Sequence, residues 1–282
     1  MAMELYFINL DRAHERAAFL VKECKKAGID NIVRVSATDA QKSDMKVIAN
    51  YWPKSWGPYW QLTDTEIAVF KSHRAIWERI AVLDNPAIVL EDDVILSRQL
   101  GQSLAMLEGC VEFDFIKLDA APGPARLGSP YLVNGLALRP ILQVLPSAAA
   151  YILSPRGARN LLDRSTQYCD HVDDFLTRPN RGFAAFQLCP AMAIQGMFCE
   201  VNNELCIPLE VAESDRFTSD QKAARLDRGP AAYRVYKELR RIIRRARYKL
   251  GGDALNHAKG GLSEPVSLAP DLPPYRRRSQ RS

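Results

Sequence analysis

Three adjacent carboxylates that follow an apolar run constrain this chain more than any other feature. Residues 87–90 read Ala-Ile-Val-Leu, typical of a strand buried on both faces, and Glu91, Asp92 and Asp93 follow directly. Open α/β folds bind ligands at this carboxyl edge of the sheet. Because alternate strand residues share a face, Glu91 and Asp93 are predicted to reach one ion, while Asp92 faces away. A solvated strand end, with Asp93 or Ser97 capping the next helix, is the alternative.

Strand-like and helix-like segments alternate around this run. Residues 5–8 and 32–35 fit strands on either side of a helix, and Thr63 with Glu66 fits the capping box of a longer helix. Residues 120–135 read as a surface loop. Strands are also predicted at 113–118, 148–153 and, as the last one, 183–188, and helices at 100–107, 155–162 and 172–176. The fold class is therefore α/β.

The net charge of +5 divides unevenly along the chain. Residues 1–221 carry −6, residues 222–250 carry +9, and residues 251–282 carry +2. An acidic body argues against nucleic acid as a partner. We predict a catalytic domain over 1–221, a basic amphipathic helical segment over 222–250, and a disordered tail rich in Pro, Ser and Arg over 251–282.

Residues 231–250 combine one apolar face with arginines and lysines over most of the remaining surface. That pattern is typical of a helix lying on an anionic membrane surface; RNA contact, or a solvated helix docked on the body, are the alternatives. The chain has no apolar run of about 18 residues, and its N-terminus does not read as a signal peptide. We therefore expect a cytoplasmic protein, peripheral on the inner face of the membrane.

Five blocks, in order along the chain, resemble glycosyltransferase family 25, the lipooligosaccharide and collagen galactosyltransferase family. They are residues 7–12 with Glu15-Arg16, residues 66–77, residues 87–96, residues 148–162, and Val172-Asp173. Three positions depart from the family pattern. Val69 stands where the family usually has Cys, Ala17 replaces the second Arg of its E-R-R, and Ala40 replaces the Gly of its A-x-D-G.

The resemblance implies a GT-A fold, which is a Rossmann-type mixed sheet flanked by helices. It also implies a UDP-sugar donor, a divalent cation (Mn²⁺ or Mg²⁺) and inversion at the anomeric carbon. The expected reaction moves a hexose, galactose by the resemblance, from the nucleotide sugar to a lipid-linked or LPS-type glycan or glycolipid acceptor. One alternative is a non-catalytic, membrane-docked binding protein with a degenerate transferase fold. Another is a sugar nucleotidyltransferase, which usually carries a Gly-rich N-terminal loop, whereas residues 8–16 contain no Gly.

The candidate site residues divide by role. Asp93 is the predicted metal ligand, with Glu91 as partner or ribose contact and His171 as a third ligand. The nucleotide-binding candidates are Asn9, Asp11, Arg12, Arg16, Asp39, Glu66, His73, Asp92 and Lys117. Several have plain structural alternatives: Asp11 and Glu66 as helix caps, His73 as a hydrogen-bonded core residue, and Lys117 as an exposed side chain.

An inverting transferase needs a general base for the acceptor hydroxyl. Asp173 is the candidate, with Asp174 as the second choice; an ordinary acidic helix N-terminus is the alternative. Residues 51–60 hold three of the four tryptophans. This segment is predicted to be an acceptor-binding lid in which Trp56 stacks on sugar, or else a loop packed over the body.

Overall fold

A computed structural model describes residues 3–42, 50–52, 59–107, 109, 112–200, 211, 227–247 and 251–276. Its strands are β1 Glu4–Asn9, β2 Ile32–Ser36, β3 Ala87–Glu91, β4 Val94–Leu96, β5 Phe115–Lys117, β6 Ala125–Leu127, β7 Tyr131–Val133, β8 Leu136–Pro140, β9 Ala150–Leu153, β10 Ala185–Cys189, β11 Ala193–Gln195 and β12 Leu262–Glu264. Its α-helices are α1 His14–Lys26, α2 Asp64–Ile80, α3 Leu100–Leu107, α4 Pro155–Arg164, α5 Val172–Thr177, α6 Ala231–Arg247 and α7 Asp253–Ala258.

One mixed sheet organises the molecule, with strand order β2-β1-β3-β9-β5-β10-β8-β7. Strand β1 runs parallel to β2 and β3, and β10 runs parallel to β5. Strand β9 lies between β3 and β5 and is antiparallel to both. Two short ladders, β4 with β11 and β6 with β12, complete the pairing among the described residues. The predicted α/β class with a mixed, helix-flanked sheet is confirmed.

Strand β3 is buried on both faces, which explains its continuous apolar sequence. Its residues alternate between two cores: Ile88 and Leu90 pack in the core that contains Leu20 of α1, and Val89 packs in the core that contains Trp77 of α2. All three β3 residues are at most 2% exposed. The central strand therefore has no freedom to slip, and its carboxyl end is fixed relative to β1.

Short strands account for most differences from the sequence-based expectation. The predicted loop over 120–135 contains β6 and β7, and β10 is followed by β11 and β12 rather than being the last strand. Each of these four elements has three residues, too few to show a periodic pattern. Their pairing depends on partners far along the chain, such as β12 on β6.

The predicted disordered tail is wrong for residues 251–276. Helix α7 and strand β12 lie in this segment, and Val266, Ala269 and Leu272 are buried in the cores of the body. Isolated apolar residues among prolines show no periodicity, so the sequence carried no signal of this packing. Residues 277–282 lie outside the described part of the chain.

Helix α6 lies within the predicted 231–250 segment, and residues 248–250 are outside the described residues. Among the residues that the structure describes, no helix combines the length and apolar composition needed to cross a bilayer.

Replacing Leu272 by Ala tests the packing of the tail. The change is expected to lower the free energy of unfolding by about 2–4 kcal/mol, because it leaves a cavity in the core. Leu255→Ala is the matched control, since the Leu255 side chain is 65% exposed, and it should cost about 0.5 kcal/mol or less. Denaturant unfolding measures both, and equal small effects would show that the tail does not belong to the core.

Candidate active site

A cavity of about 950 Å³ lies at the carboxyl ends of β1 and β3. The parallel register pairs Ile8 with Glu91, which brings the two strand ends together. Because β9 is antiparallel, the residues that precede it, Ser147 among them, reach the same edge. The predicted site residues that line the cavity are Asn9, Arg12, Arg16, Asp39, His73, Glu91, Asp92, Asp93 and Asp173.

Glu91 and Asp93 converge on one point, the side-chain amide of Gln195. Its Nε2 donates to Glu91 Oε2 at 2.9 Å and lies 3.2 Å from each carboxylate oxygen of Asp93. The antiparallel pairing of β4 with β11 sets Gln195 opposite Val94. Burial, together with the negative charges of Glu91 and Asp92, raises the pKa of Asp93.

Asp92 turns to the other side, toward the first strand and helix. Its carboxylate accepts hydrogen bonds from Asn9 Nδ2 at 2.7 Å and Arg16 Nη1 at 3.4 Å. Burial raises the pKa of Asp92, and Arg16 and Asn9 oppose that rise. Asn9 also accepts from Arg34 Nε at 2.8 Å, so the interior of the site is tied to β2. These contacts make Asp92 a structural link rather than a group directed at ligand.

The converging pair fits a hard divalent cation. Two carboxylates directed at one point suit Mg²⁺ or Mn²⁺, and a cation there would favour the ionised form of Asp93, which burial disfavours. Within the described ranges, no cluster of three or more His, Cys, Asp or Glu side chains forms a metal site. Glu91 and Asp93 are the carboxylates whose oxygens face one shared group, Gln195 Nε2.

His171 does not join this pair, so its predicted role as a third ligand needs correction. As the residue before α5, it directs Nε2 toward Glu66 Oε1 at 3.4 Å, and its ring centroid lies 4.0 Å from that of Tyr59. Glu66 completes the capping box of α2 by accepting from the backbone N–H of Thr63 at 2.8 Å. Neither His171 nor Glu66 lines the cavity.

His73 orients Glu91 through a buried chain of hydrogen bonds. Trp77 Nε1 donates to the hydroxyl oxygen of Tyr151 at 3.0 Å, His73 Nδ1 lies 3.0 Å from that oxygen, and His73 Nε2 lies 3.1 Å from Glu91 Oε1. An indole only donates and a carboxylate only accepts. The tyrosine proton therefore points to Nδ1, and the imidazole carries its own proton on Nε2. Burial also raises the pKa of Tyr151, which keeps the hydroxyl protonated.

Lys117 lies beneath the cavity rather than in it. Its ammonium group is buried, 2.5 Å from Asp119 Oδ1 and 2.7 Å from the backbone carbonyl oxygen of Ser147. The predicted phosphate contact and the exposed alternative are both wrong, because the Lys117 side chain is buried and its ammonium group is already paired with Asp119. It supports Ser147, a residue with φ of +70° at the cavity wall.

Asp173 and Asp174 occupy different surroundings. Asp173 Oδ2 accepts from the backbone N–H of Ser147 at 3.2 Å, and its Oδ1 is buried with no hydrogen-bond partner among the described residues. Asp174 does not line the cavity and is hydrogen-bonded to Tyr59. Burial and the charge of Asp173 raise the pKa of Asp174 to about 6. Of the two, only Asp173 faces the space where a substrate would bind.

The remaining nucleotide-binding candidates separate into two groups. Arg12 and Asp39 form an ion pair at the cavity wall, and Arg12 holds the pKa of Asp39 below its usual value. Asp11 instead accepts from Ser36 Oγ at 2.7 Å and Arg34 Nη2 at 2.8 Å, outside the cavity lining, and Ser36 lowers its pKa most. Helix α1 begins at His14, so Asp11 is not its cap.

The aromatic segment is only partly described. Trp52 is half exposed, whereas Trp60 packs against Tyr233 of α6 with ring centroids 5.1 Å apart. Trp56 lies outside the described residues. The lid therefore stays a prediction for Trp56, whereas the Trp60 ring packs against helix α6.

The mixed sheet with a polar cavity at its carboxyl edge defines an α/β protein with a ligand site in the usual place for such folds. The sequence model of Glycosyltransferase family 25 (LPS biosynthesis protein) matches residues 2–122. The match covers less than half of the chain, and over residues 2–122 it supports the family assignment predicted from the motifs and, with it, a glycosyltransferase enzyme with a role in LPS biosynthesis. The motif blocks at 148–162 and 172–173 lie beyond the matched residues. No curated protein sequence gives a significant match.

Sequence reasoning missed two residues at the centre of the site. Gln195 bridges the carboxylates, and Ser147 contacts Gln195, Asp119 and Asp173. Neither stands in a recognisable motif, and both come to the site from chain segments far from residue 91. The only local signal is that Ser147 immediately precedes the predicted strand at 148–153.

Asp174→Asn is expected to stabilise the protein at pH 8 but not at pH 4. A carboxyl whose pKa is raised by folding destabilises the fold as pH rises from its unfolded value, near 4, to about 6, and the cost stays constant above. The amide removes that cost and still accepts from Tyr59. The melting temperature should rise by about 2–4 °C at pH 8, with Asp163→Asn, an exposed site, as control. A gain of equal size at both pH values would contradict this account.

Proposed function

We propose that this glycosyltransferase is metal-dependent and inverting, and that it moves a hexose, galactose by family resemblance, from a UDP-sugar to a lipid-linked or LPS-type glycan. The observation that carries the proposal is the convergence of Glu91 and Asp93 in a cavity that also presents Asp173. One wall offers a site for cation and diphosphate, and the other offers a base.

Glu91 and Asp93 would hold the cation, Mn²⁺ or Mg²⁺, as a pair of oxygen ligands. When bound, it would neutralise the diphosphate as a leaving group. Arg12 and Arg16 line the same cavity and supply positive charge for the phosphates. Asp39, held by Arg12, is positioned to accept a hydrogen bond from uracil or ribose.

Asp173 would act as the general base. Its carboxylate takes the proton of the acceptor hydroxyl while the acceptor oxygen bonds to the anomeric carbon and the bond to the diphosphate breaks, releasing UDP. One displacement of this kind inverts the anomeric centre. The Ser147 N–H holds Asp173 Oδ2 at 3.2 Å, and Oδ1 keeps its acceptor capacity.

Two other functions compete with this proposal. A nucleotidyltransferase would also use carboxylates and a cation, but residues 8–16 contain no Gly for a phosphate-binding loop. A non-catalytic binding protein would have no need of two adjacent like charges, one of them buried, which cost free energy to keep together. The retention of Glu91 and Asp93 as a converging pair therefore favours an enzyme.

Hydrolysis of UDP-sugars in the presence of Mn²⁺ tests the assignment. Asp93→Asn should lower the rate roughly a hundredfold or more while leaving the fold intact by circular dichroism, because one charged ligand of the cation is lost. Asp84→Asn, at an exposed position, is the control and should keep the wild-type rate. Full activity in Asp93→Asn would contradict the metal site.

Asp173→Asn separates the base from the donor site in the same assay. UDP binding should stay within about threefold of wild type, whereas kcat for hydrolysis, in which water takes the place of the acceptor hydroxyl, falls about 10²- to 10⁴-fold, as expected for loss of a general base. A screen of UDP-sugars identifies the donor. Release of pyrophosphate from a sugar phosphate and a nucleoside triphosphate would instead establish a nucleotidyltransferase.

We also propose that α6 holds the enzyme at an anionic membrane surface. Val235, Leu239, Ile242 and Ile243 are each more than half exposed on one side of the helix. The only acid in α6 is Glu238, against seven Lys or Arg. Apolar side chains exposed beside so many cations match a surface of anionic lipid in both hydrophobicity and charge.

The helix lies next to the cavity. Tyr233, 2% exposed, packs on Trp60, and Lys237 Nζ lies 5.4 Å from the centre of the Tyr59 ring. Gln61, which lines the cavity, accepts from the backbone N–H of Asp227 at 2.8 Å. A lipid-linked acceptor held at α6 would therefore approach the cavity from the membrane side.

Point variants test the membrane proposal better than truncation, because the chain after α6 returns to the core. Ile242→Ser with Ile243→Ser, and separately Arg244→Gln with Arg245→Gln, should each reduce sedimentation with phosphatidylglycerol vesicles about tenfold. Val82→Ser, which changes an 83%-exposed residue away from α6, is the control. If both α6 variants still sediment like the control, α6 is not the membrane contact.

A further inference from the structure

Gln195 occupies a position that a cation ligand would occupy. Its amide atom Nε2 lies 2.9 Å from Glu91 Oε2 and 3.2 Å from the Asp93 oxygens. Neighbouring oxygens around an octahedral Mg²⁺, with bonds of about 2.0–2.1 Å, lie about 2.9 Å apart. The Gln195 amide thus lies from each carboxylate at about the distance that separates neighbouring ligands of one ion, although it presents N–H rather than oxygen.

The oxygen end of the Gln195 amide lies where hydrogen-bond acceptors outnumber donors. Gln195 Oε1 lies 3.0 Å from Ser147 Oγ, and Ser147 Oγ lies 2.5 Å from Asp119 Oδ2. Both Oε1 and the Asp119 carboxylate, which is ion-paired with Lys117, can only accept. The single hydroxyl proton of Ser147 cannot serve both acceptors, so one contact lacks its hydrogen bond.

We propose that Gln195 is the third oxygen ligand of the divalent cation and reaches that role by rotating its side-chain amide. This inference rests on the cation site of the proposed function. Without a cation, Nε2 faces the carboxylates, as it does in the structure, because ionised carboxylate oxygens only accept hydrogen bonds. With a cation between the carboxylates, the amide oxygen becomes the favoured end.

The rotation also supplies the hydrogen-bond donor that is missing between Gln195, Ser147 and Asp119. Nε2 then donates to Ser147 Oγ, the Ser147 hydroxyl donates to Asp119, and each group has a partner of the correct type. The Lys117–Asp119 pair is unchanged. Cation binding is thereby linked to Ser147, whose N–H holds the candidate base Asp173.

Gln195 could instead have the opposite role, as a competitor of the cation, and the two roles predict opposite changes in metal affinity when Gln195 is removed. If the amide N–H only substitutes for the cation, Gln195 competes with metal, and removing it should tighten metal binding. If Gln195 is a ligand, its removal weakens metal binding. Met has nearly the shape of Gln without its amide, so Gln195→Met distinguishes the two roles.

Calorimetric titration of the full-length protein with MnCl₂, in the presence of saturating UDP, makes the comparison. Gln195→Met should weaken Mn²⁺ binding about tenfold or more. Gln143→Met is the matched control, because the Gln143 amide contacts only the carbonyl oxygen of Pro124 among the described residues. Gln195→Glu keeps an oxygen at the site and should bind Mn²⁺ at least as tightly as wild type. Tighter binding in Gln195→Met would overturn the proposal.

A measurement on the wild-type protein does not depend on how the variants fold. The Gln195 side-chain N–H signals are assigned as the pair that is present in the nitrogen–proton NMR spectrum of the wild type and absent from that of Gln195→Glu. They should shift on addition of Mg²⁺ with UDP, and not with UDP alone, since their acceptors change from carboxylates to a hydroxyl. Signals that stay in place while Mg²⁺ binds would rule out the rotation. Absence of any metal binding by wild type would instead remove the cation site itself.

Discussion

The site depends on one electrostatic constraint: Glu91 and Asp93, two acidic side chains, are held together where burial and the neighbouring Glu91 charge disfavour the ionised form of Asp93. Two unit charges about 4 Å apart repel by about 4 kcal/mol at an effective dielectric constant of 20. Donors from distant parts of the chain offset this repulsion, with the Gln195 amide facing both groups and His73 holding Glu91. The same two negative charges attract a cation. The repulsion that lowers the stability of the fold and the proposed affinity for metal therefore come from the same pair of side chains.

The sheet topology supplies those donors. Parallel pairing of β1 and β3 sets Asn9 beside Asp92, and the β4–β11 ladder delivers Gln195 across more than a hundred residues of chain. Antiparallel β9 brings Ser147 to the same edge from the opposite direction. A site assembled from strand ends of both directions explains why the polar network beneath the cavity is buried, and why its members are spread over the whole sequence.

Features encoded locally were predictable from sequence. The β3 strand, the Thr63–Glu66 capping box and helix α4 follow from short patterns, and the structure agrees with them within a few residues. Features set by distant partners were not predictable. Lys117 reads as exposed until Asp119 and Ser147 are seen around it, and the tail reads as disordered until its apolar residues are placed in the cores. Gln195 belongs to no motif, because its role arises only from the pairing of β11 with β4.

Anomalous X-ray diffraction from crystals of the protein with UDP and Mn²⁺ shows directly whether Glu91 and Asp93 bind one cation. We expect one manganese peak within ligand distance of both carboxylates, with the diphosphate on the side of the peak toward Arg12 and Arg16. Bound UDP with no manganese peak between these carboxylates, or with the peak held by other residues, would contradict it.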